Sequence, residues 1–163
     1  MSSPAQFPEC AKGHVPCGIA LQNNGDVDGA IAEFRTAIRV NPNDADAHYY
    51  LGVALYEKGD VDGAIAEYRT ATRLNPNDAR PHNYLGSALW KKGDVDGGIG
   101  EFRAALLIDP NAASSHLALG VGLEIKGELN EALDEYRSAM TLDPKLEMAK
   151  TLYENLAVKL HKK

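Results

Sequence analysis

A 34-residue period constrains this chain more than any other feature. Residues 25–45 read GDVDGAIAEFRTAIRVNPNDA, and 59–79 repeat them as GDVDGAIAEYRTATRLNPNDA, identical at 18 of 21 positions. The same string returns as GDVDGGIGEFRAALLIDPNAA at 93–113 and, more loosely, as GELNEALDEYRSAMTLDPKLE at 127–147. The intervening half is periodic too: HYYLGVALYEKG, HNYLGSALWKKG and HLALGVGLEIKG follow one another at the same interval. A chain of near-identical units does not build one central core. Each unit buries its apolar face on its neighbours, so the units stack.

Each unit holds two helical patterns. Ala47, Leu51, Ala54 and Leu55 fall on one stripe of a first helix, and Gly59 ends it. Ile65, Tyr68, Ala71 and Thr72 share one face of a second helix, introduced by Asp60 and Asp62 and stopped by Pro76. Asp78 then caps the next first helix. No stretch carries a strand pattern, so the expected class is all-α.

The spacing Leu51-Gly52…Leu55…Gly59…Ala64…Tyr68…Ala71…Pro76 resembles the tetratricopeptide repeat. So do Leu85-Gly86…Leu89…Gly93…Gly98…Phe102…Ala105…Pro110 and Leu119-Gly120…Leu123…Gly127…Ala132…Tyr136…Ala139…Pro144. The resemblance covers roughly residues 11–161. It implies a right-handed superhelical solenoid of antiparallel helix pairs ending in a single capping helix. The expected divisions are an irregular segment 1–15, a degenerate first repeat 16–42, full repeats 43–76, 77–110 and 111–144, and a capping helix and tail 145–163. In the first repeat Gly13, Pro16 and Cys17 weaken the first helix, which is expected to start after Pro16. Gly52, Gly86 and Gly120, opposite Ala64, Gly98 and Ala132, are expected to let paired helices approach closely.

Charge limits the partners. Lys and Arg number 17 against 23 Asp and Glu, a net charge of −6, which argues against a general hold on nucleic acid or anionic lipid. No 18-residue apolar run is present for membrane insertion, and the N-terminus carries no signal-peptide pattern. Cys10 and Cys17 are too few for a disulfide framework, so a buried thiol beside an exposed one in a cytoplasmic setting is the default expectation. Export by a signal-less route would leave the same sequence.

Candidate chemistry thins out on inspection. His14, His48, His82 and His116 recur every 34 residues. Equivalent residues of stacked units lie on the order of 10 Å apart, whereas zinc ligands converge to roughly 2.0–2.3 Å from one ion. They read as packing residues. Cys10, His14 and Cys17 lack a fourth ligand and a device to orient a Cys–His nucleophile. Asp26/Asp28, Asp60/Asp62 and Asp94/Asp96 alternate like calcium ligands, but the chain enters a helix before a full oxygen shell is supplied. Neither an enzyme nor a cofactor or metal is expected.

In tetratricopeptide repeats the first helices line a concave groove. The resemblance places Tyr49, Val53 and Tyr56, then Arg80, Asn83, Ser87 and Trp90, then Leu117, Val121 and Glu124 on that face, and implies a groove for a peptide or helix of a protein partner. Relatives that clamp a C-terminal carboxylate use lysine and asparagine. Here the corresponding places hold Val15, Ile19, Tyr50 and Tyr84, with Arg80 the one basic group, which implies a more apolar ligand. The alternative function is self-assembly end to end, into an oligomer or filament. Residues 145–161 form a helix expected to lack a partner in its own chain. Leu146, Ala149, Tyr153, Leu156 and Leu160 on it would dock on the second helix, 27–40, of the next copy. Gly29, Gly63 and Gly97, unexplained inside helices, would offer a closely approached lateral face.

Overall fold

The computed structural model describes residues 7–161, and among them every regular element is helical. A short 3-10 helix, Pro8–Lys12, precedes α1 (His14–Asn23), α2 (Val27–Val40), α3 (Ala45–Glu57), α4 (Val61–Leu74) and α5 (Ala79–Lys91). Then follow α6 (Val95–Ile108), α7 (Ala113–Lys126), α8 (Leu129–Leu142) and α9 (Glu147–His161). The chain forms two compact units, residues 1–88 and 89–163, divided inside α5. In the first, α1 packs on α2, α2 on α3, and α3 on α4. In the second, α6 packs on α7, α7 on α8, and α8 on α9. Consecutive helices pair, as the solenoid reading requires.

The start of the chain differs from expectation. Residues 1–6 of the expected irregular segment lie outside the described residues, but Pro8–Lys12 are helical and α1 begins at His14, ahead of Pro16. Proline is tolerated there because first-turn N–H groups have no intrahelical acceptor; the first ladder bond comes from Cys17 N–H to Gly13 O, 3.1 Å. Cys10 and Cys17 are joined in a disulfide, so the expected pair of free thiols is corrected. A spacing of seven brings the 3-10 helix back over the first turns of α1, where Cys17 is buried.

The period is built from repeated local devices. Gly25, Gly59, Gly93 and Gly127 all take positive φ, between 81° and 90°, the left-handed turn out of each first helix. Asp26, Asp60 and Asp94 cap the second helices by accepting the N–H of Gly29, Gly63 and Gly97 at 3.0, 2.9 and 2.8 Å. A Cβ on Gly29 would stand 2.9 Å from the Asp26 carboxylate, and one on Gly63 2.5 Å from that of Asp60. Glycine at these positions makes room for the cap carboxylate to fold over the first turn of the helix. The fourth unit supplies the control. Glu128 replaces the aspartate, makes no side-chain cap bond, and Glu131 replaces the glycine.

Close approach between paired helices is set by rings. Gly18 lies under Phe34, Gly52 under Tyr68 and Gly120 under Tyr136, and an added Cβ would meet those rings at 2.5 to 2.6 Å. The small residues Ala64 and Ala132 are fully buried as expected, but the surface the glycine faces is aromatic. Phe34, Tyr68, Phe102 and Tyr136 fill the same place in successive repeats, each no more than 2% exposed. Burying such a side chain stabilises by about 1.5–3 kcal/mol.

Candidate functional face on the first helices

The histidine ladder is a set of cross-links. His48 Nδ1 lies 2.6 Å from Glu67 Oε2 and its Nε2 lies 3.0 Å from Pro42 O. His116 repeats both contacts with Glu135 and Pro110, at 2.6 and 3.0 Å, and His14 meets Glu33 at 2.7 Å. His48 and His116 thus each tie a first helix to its own second helix and to the loop preceding it. The carbonyl only accepts, so Nε2 is the donor to Pro42 and Pro110 and Nδ1 is left facing the carboxylate. Packing alone does not describe these residues. A constant histidine-to-glutamate offset of 19 was the signal available in the sequence.

In the first unit the first helices carry an aromatic network. Tyr49 meets Tyr50 at 4.9 Å and Tyr84 at 5.4 Å between ring centroids, both edge to face. Phe34 stacks on Tyr50 at 5.8 Å, and Tyr68 meets Tyr84 at 5.8 Å. Arg80 lies over the Tyr49 ring with Cζ 4.8 Å from its centroid. Burial, reinforced by the neighbouring Tyr84, pushes the Tyr49 hydroxyl well above the ordinary tyrosine range. Burial does the same to Tyr68, whose Oη is enclosed with no hydrogen-bond partner. In the fourth repeat the matching hydroxyl of Tyr136 donates to Glu124 Oε2 at 2.9 Å.

Arg80, the one basic group of the expected face, is already bound. It makes 2.6 and 3.0 Å contacts to Asp78 and a 2.8 Å contact to Asp46. Burial alone would push Asp78 up, but hydrogen bonds from the Arg80 side chain and backbone, with its charge, outweigh burial and hold the carboxyl below its usual range. A guanidinium held by two carboxylates and a ring is not a free clamp for a carboxylate.

The remaining expected face residues divide by exposure. Tyr49 is 7% exposed and belongs to the packing. Val53, Tyr56 and Asn83 are half-buried, and Ser87 is exposed with its hydroxyl donating to Asn83 O at 3.0 Å. Tyr84, 42% exposed, is the large open aromatic of this unit. In the second unit Trp90, Leu117 and Val121 are partly buried against the cluster of Phe102, Leu123 and Tyr136. Trp90 donates from Nε1 to Val95 O at 3.3 Å, and Glu124 holds Tyr136.

The terminal helix also departs from expectation. Ala149 and Leu156 are 0% and 1% exposed, because α9 packs on α8 within its own chain; it is not partnerless. Leu146, Tyr153 and Leu160 are half-buried, and Arg137 lies over the Tyr153 ring at 5.5 Å. The open apolar side chains on α9 are Met148 and Val158. No helix among the described residues is long and apolar enough to cross a membrane.

Paired helices on a fixed period, with a histidine–glutamate cross-link at His14, His48 and His116 and a glycine-gated cap at Asp26, Asp60 and Asp94, define a helical-repeat protein. The tetratricopeptide repeat profile matches residues 18–79 and 82–147, more than half of the sequence, and the chain belongs to that family. Among curated proteins none matches. Among solved structures, a crystal structure of MamA superposes with a TM-score of 0.77 at 23% identity, covering 89% of this chain and 90% of that one. MamA 41-end from Desulfovibrio magneticus RS-1 superposes at 0.82 and 19% identity, covering 95% and 87%. The MamA RS-1 ArsTM double mutant gives 0.82 and 19%, covering 94% and 85%. At these identities the likeness is one of fold.

Proposed function

We propose that this chain is a non-enzymatic interaction scaffold whose first helices bind an extended peptide or helix of another protein. The observation that supports this most is the Tyr49–Tyr50–Tyr84 network, with Tyr84 exposed, and with half-buried Val53 and exposed Ser87 on the same two first helices. Aromatic anchors surrounded by small and aliphatic contacts are the usual carriers of binding energy. Because Arg80 is neutralised by Asp46 and Asp78, the ligand is apolar rather than a carboxylate terminus. A glutamate placed at Val53 or Ser87 is expected to abolish partner capture. The same change at exposed Ala66, on a second helix, is expected to leave capture intact. Equal capture by all three variants would contradict the assignment.

A second reading, self-assembly, is favoured by one feature. Glu9, Pro16, Ile19, Ala20 and Asn23 line a cleft of about 420 Å³ on α1. Ala20 is half-buried there, whereas Ala54 and Ala88, at the same repeat position, are fully buried. The α1 cleft is thus an apolar face of the kind that internal repeats cover, and a second copy would cover it. Sedimentation velocity over a concentration series separates the readings: a monomer throughout excludes this one.

A further inference from the structure

The second helices of the first unit carry one motif, with Phe34 exchanged for Tyr68. Ala32-Glu33-Phe34-Arg35-Thr36-x-x-Arg39 on α2 is matched by Ala66-Glu67-Tyr68-Arg69-Thr70-x-x-Arg73 on α4. Arg35 and Arg39 are four residues apart, as are Arg69 and Arg73, so each pair sits on one helix face with Cβ atoms about 6 Å apart. All four are exposed. The acidic groups of the same helices are engaged elsewhere: Asp28 by Lys58, Glu33 by His14, Glu67 by His48, and Asp62 also has a partner. Asp28, Glu33 and Glu67 are thus paired with a lysine or a histidine and not with these arginines. Among the described residues the four guanidiniums have no ion pair, and the one bond they make is Arg39 to Thr36 Oγ1 at 3.2 Å. Like charges at this spacing disfavour a helix by a small amount. Arg39 and Arg73, in the last turns, complement the helix dipole, but Arg35 and Arg69 sit a full turn earlier and gain little from it.

The second unit shows the same positions without the feature. Arg103 is held by Glu131 at 3.2 Å, and Arg137 by Asp134 at 2.9 Å and by Tyr153. Leu107 and Thr141 stand where Arg39 and Arg73 would be. The open arginines are therefore confined to the first unit and lie on helices other than those of the proposed groove.

We propose that this arginine face docks an acidic segment of a partner protein, through guanidinium–carboxylate pairs along α2 and α4. Charge complementarity selects the occupant: two parallel forks per helix match a row of glutamate or aspartate side chains. An extended anionic membrane is a poorer match, because a chain of net charge −6 is repelled by it over the whole surface. A short acidic segment meets only local charge, since screening removes the rest within about 8 Å.

The test is fluorescence anisotropy with a labelled peptide of repeated Glu-Glu-Ala-Ala, against the whole chain. The wild type is expected to bind, more weakly as salt rises. Arg35→Gln/Arg39→Gln and Arg69→Gln/Arg73→Gln are each expected to weaken binding about fivefold. Arg103→Gln/Arg137→Gln, whose guanidiniums are already paired, is expected to bind as the wild type does. Glutamine keeps helix propensity, and unchanged circular dichroism melts confirm the fold. The proposal is overturned by any of four results. These are no binding by the wild type, undiminished binding by both first-unit variants, and salt-sensitive self-association that these variants abolish. The fourth is retention on phosphatidylserine vesicles, lost in the variants, with no peptide binding.

Discussion

Two glycines on α6, three residues apart, should respond oppositely to the same substitution. Gly100 is exposed, and a Cβ there would meet nothing within 4 Å. Gly100→Ala should therefore recover the helix-propensity difference of about 1 kcal/mol, raising Tm by about 2–4 °C for a chain of this size. Gly97 makes the same propensity sacrifice, but its N–H is held by the Asp94 carboxylate at 2.8 Å and a Cβ would clash with that group. Gly97→Ala should gain about 1 kcal/mol and lose an N-cap of about 1 kcal/mol, with the clash added, leaving it no more stable than the wild type. In an Asp94→Ala background the cap is already gone, and Gly97→Ala should then stabilise by about 1 kcal/mol. Denaturant melts of the four variants in this cycle should give a coupling between positions 94 and 97 of about 1–2 kcal/mol. A coupling near zero, or equal gains from both alanines in the wild-type background, would refute the cap explanation for the repeated glycines.

Three other outcomes follow from the same geometry. Tyr68→Phe removes an enclosed hydroxyl with no partner and should be neutral or stabilising, whereas Tyr136→Phe loses the bond to Glu124 and should cost about 1 kcal/mol by denaturant melts. His48→Phe keeps a planar ring but strands Glu67 and the Pro42 carbonyl; a loss of about 1–3 kcal/mol is expected, and a neutral result would return the histidine to mere packing. Asp78 has a folded pKa held below its unfolded value near 3.9, so its contribution is present above that pH and is lost as pH falls through the folded value. Because Arg80 is half exposed, the difference in stability between wild type and Arg80→Ala should be under about 1 kcal/mol at neutral pH and should shrink in acid melts.

The repeat period, helix pairing and most helix ends were legible because each depends on local chemistry: proline stops, left-handed glycines and aspartate caps. Gly63 was visible as an anomaly but not as part of the cap, because its reason is the path of the Asp60 carboxylate over the first turn. The His48–Glu67 pair was hidden for a related reason. A period reports that two positions recur, not that side chains 19 residues apart face one another across a helix hairpin. The Cys10–Cys17 bridge was missed because counting cysteines addresses frameworks and not a single local clip. On the first-helix face, the sequence pattern put Tyr49 and Arg80 at equivalent faces of neighbouring first helices, and Arg80 lies over the Tyr49 ring. The pattern did not show that Tyr84 and Arg80 would cover Tyr49, since that depends on how neighbouring first helices fill the space between them. The terminal helix was assigned correctly, but its burial on α8 depends on Ala149 and Leu156 matching a surface that its own sequence does not describe.

The most direct test of the central claim, that partner recognition lies on the first helices, is photo-cross-linking with a benzophenone amino acid placed singly at Ser87 or at Ala66. Both positions are exposed and sit on opposite kinds of helix in one unit. A discrete heterologous adduct is expected from Ser87, displaced by excess unlabelled protein, and none of the same mass from Ala66. The same adduct from both positions, or from Ala66 alone, would contradict that claim.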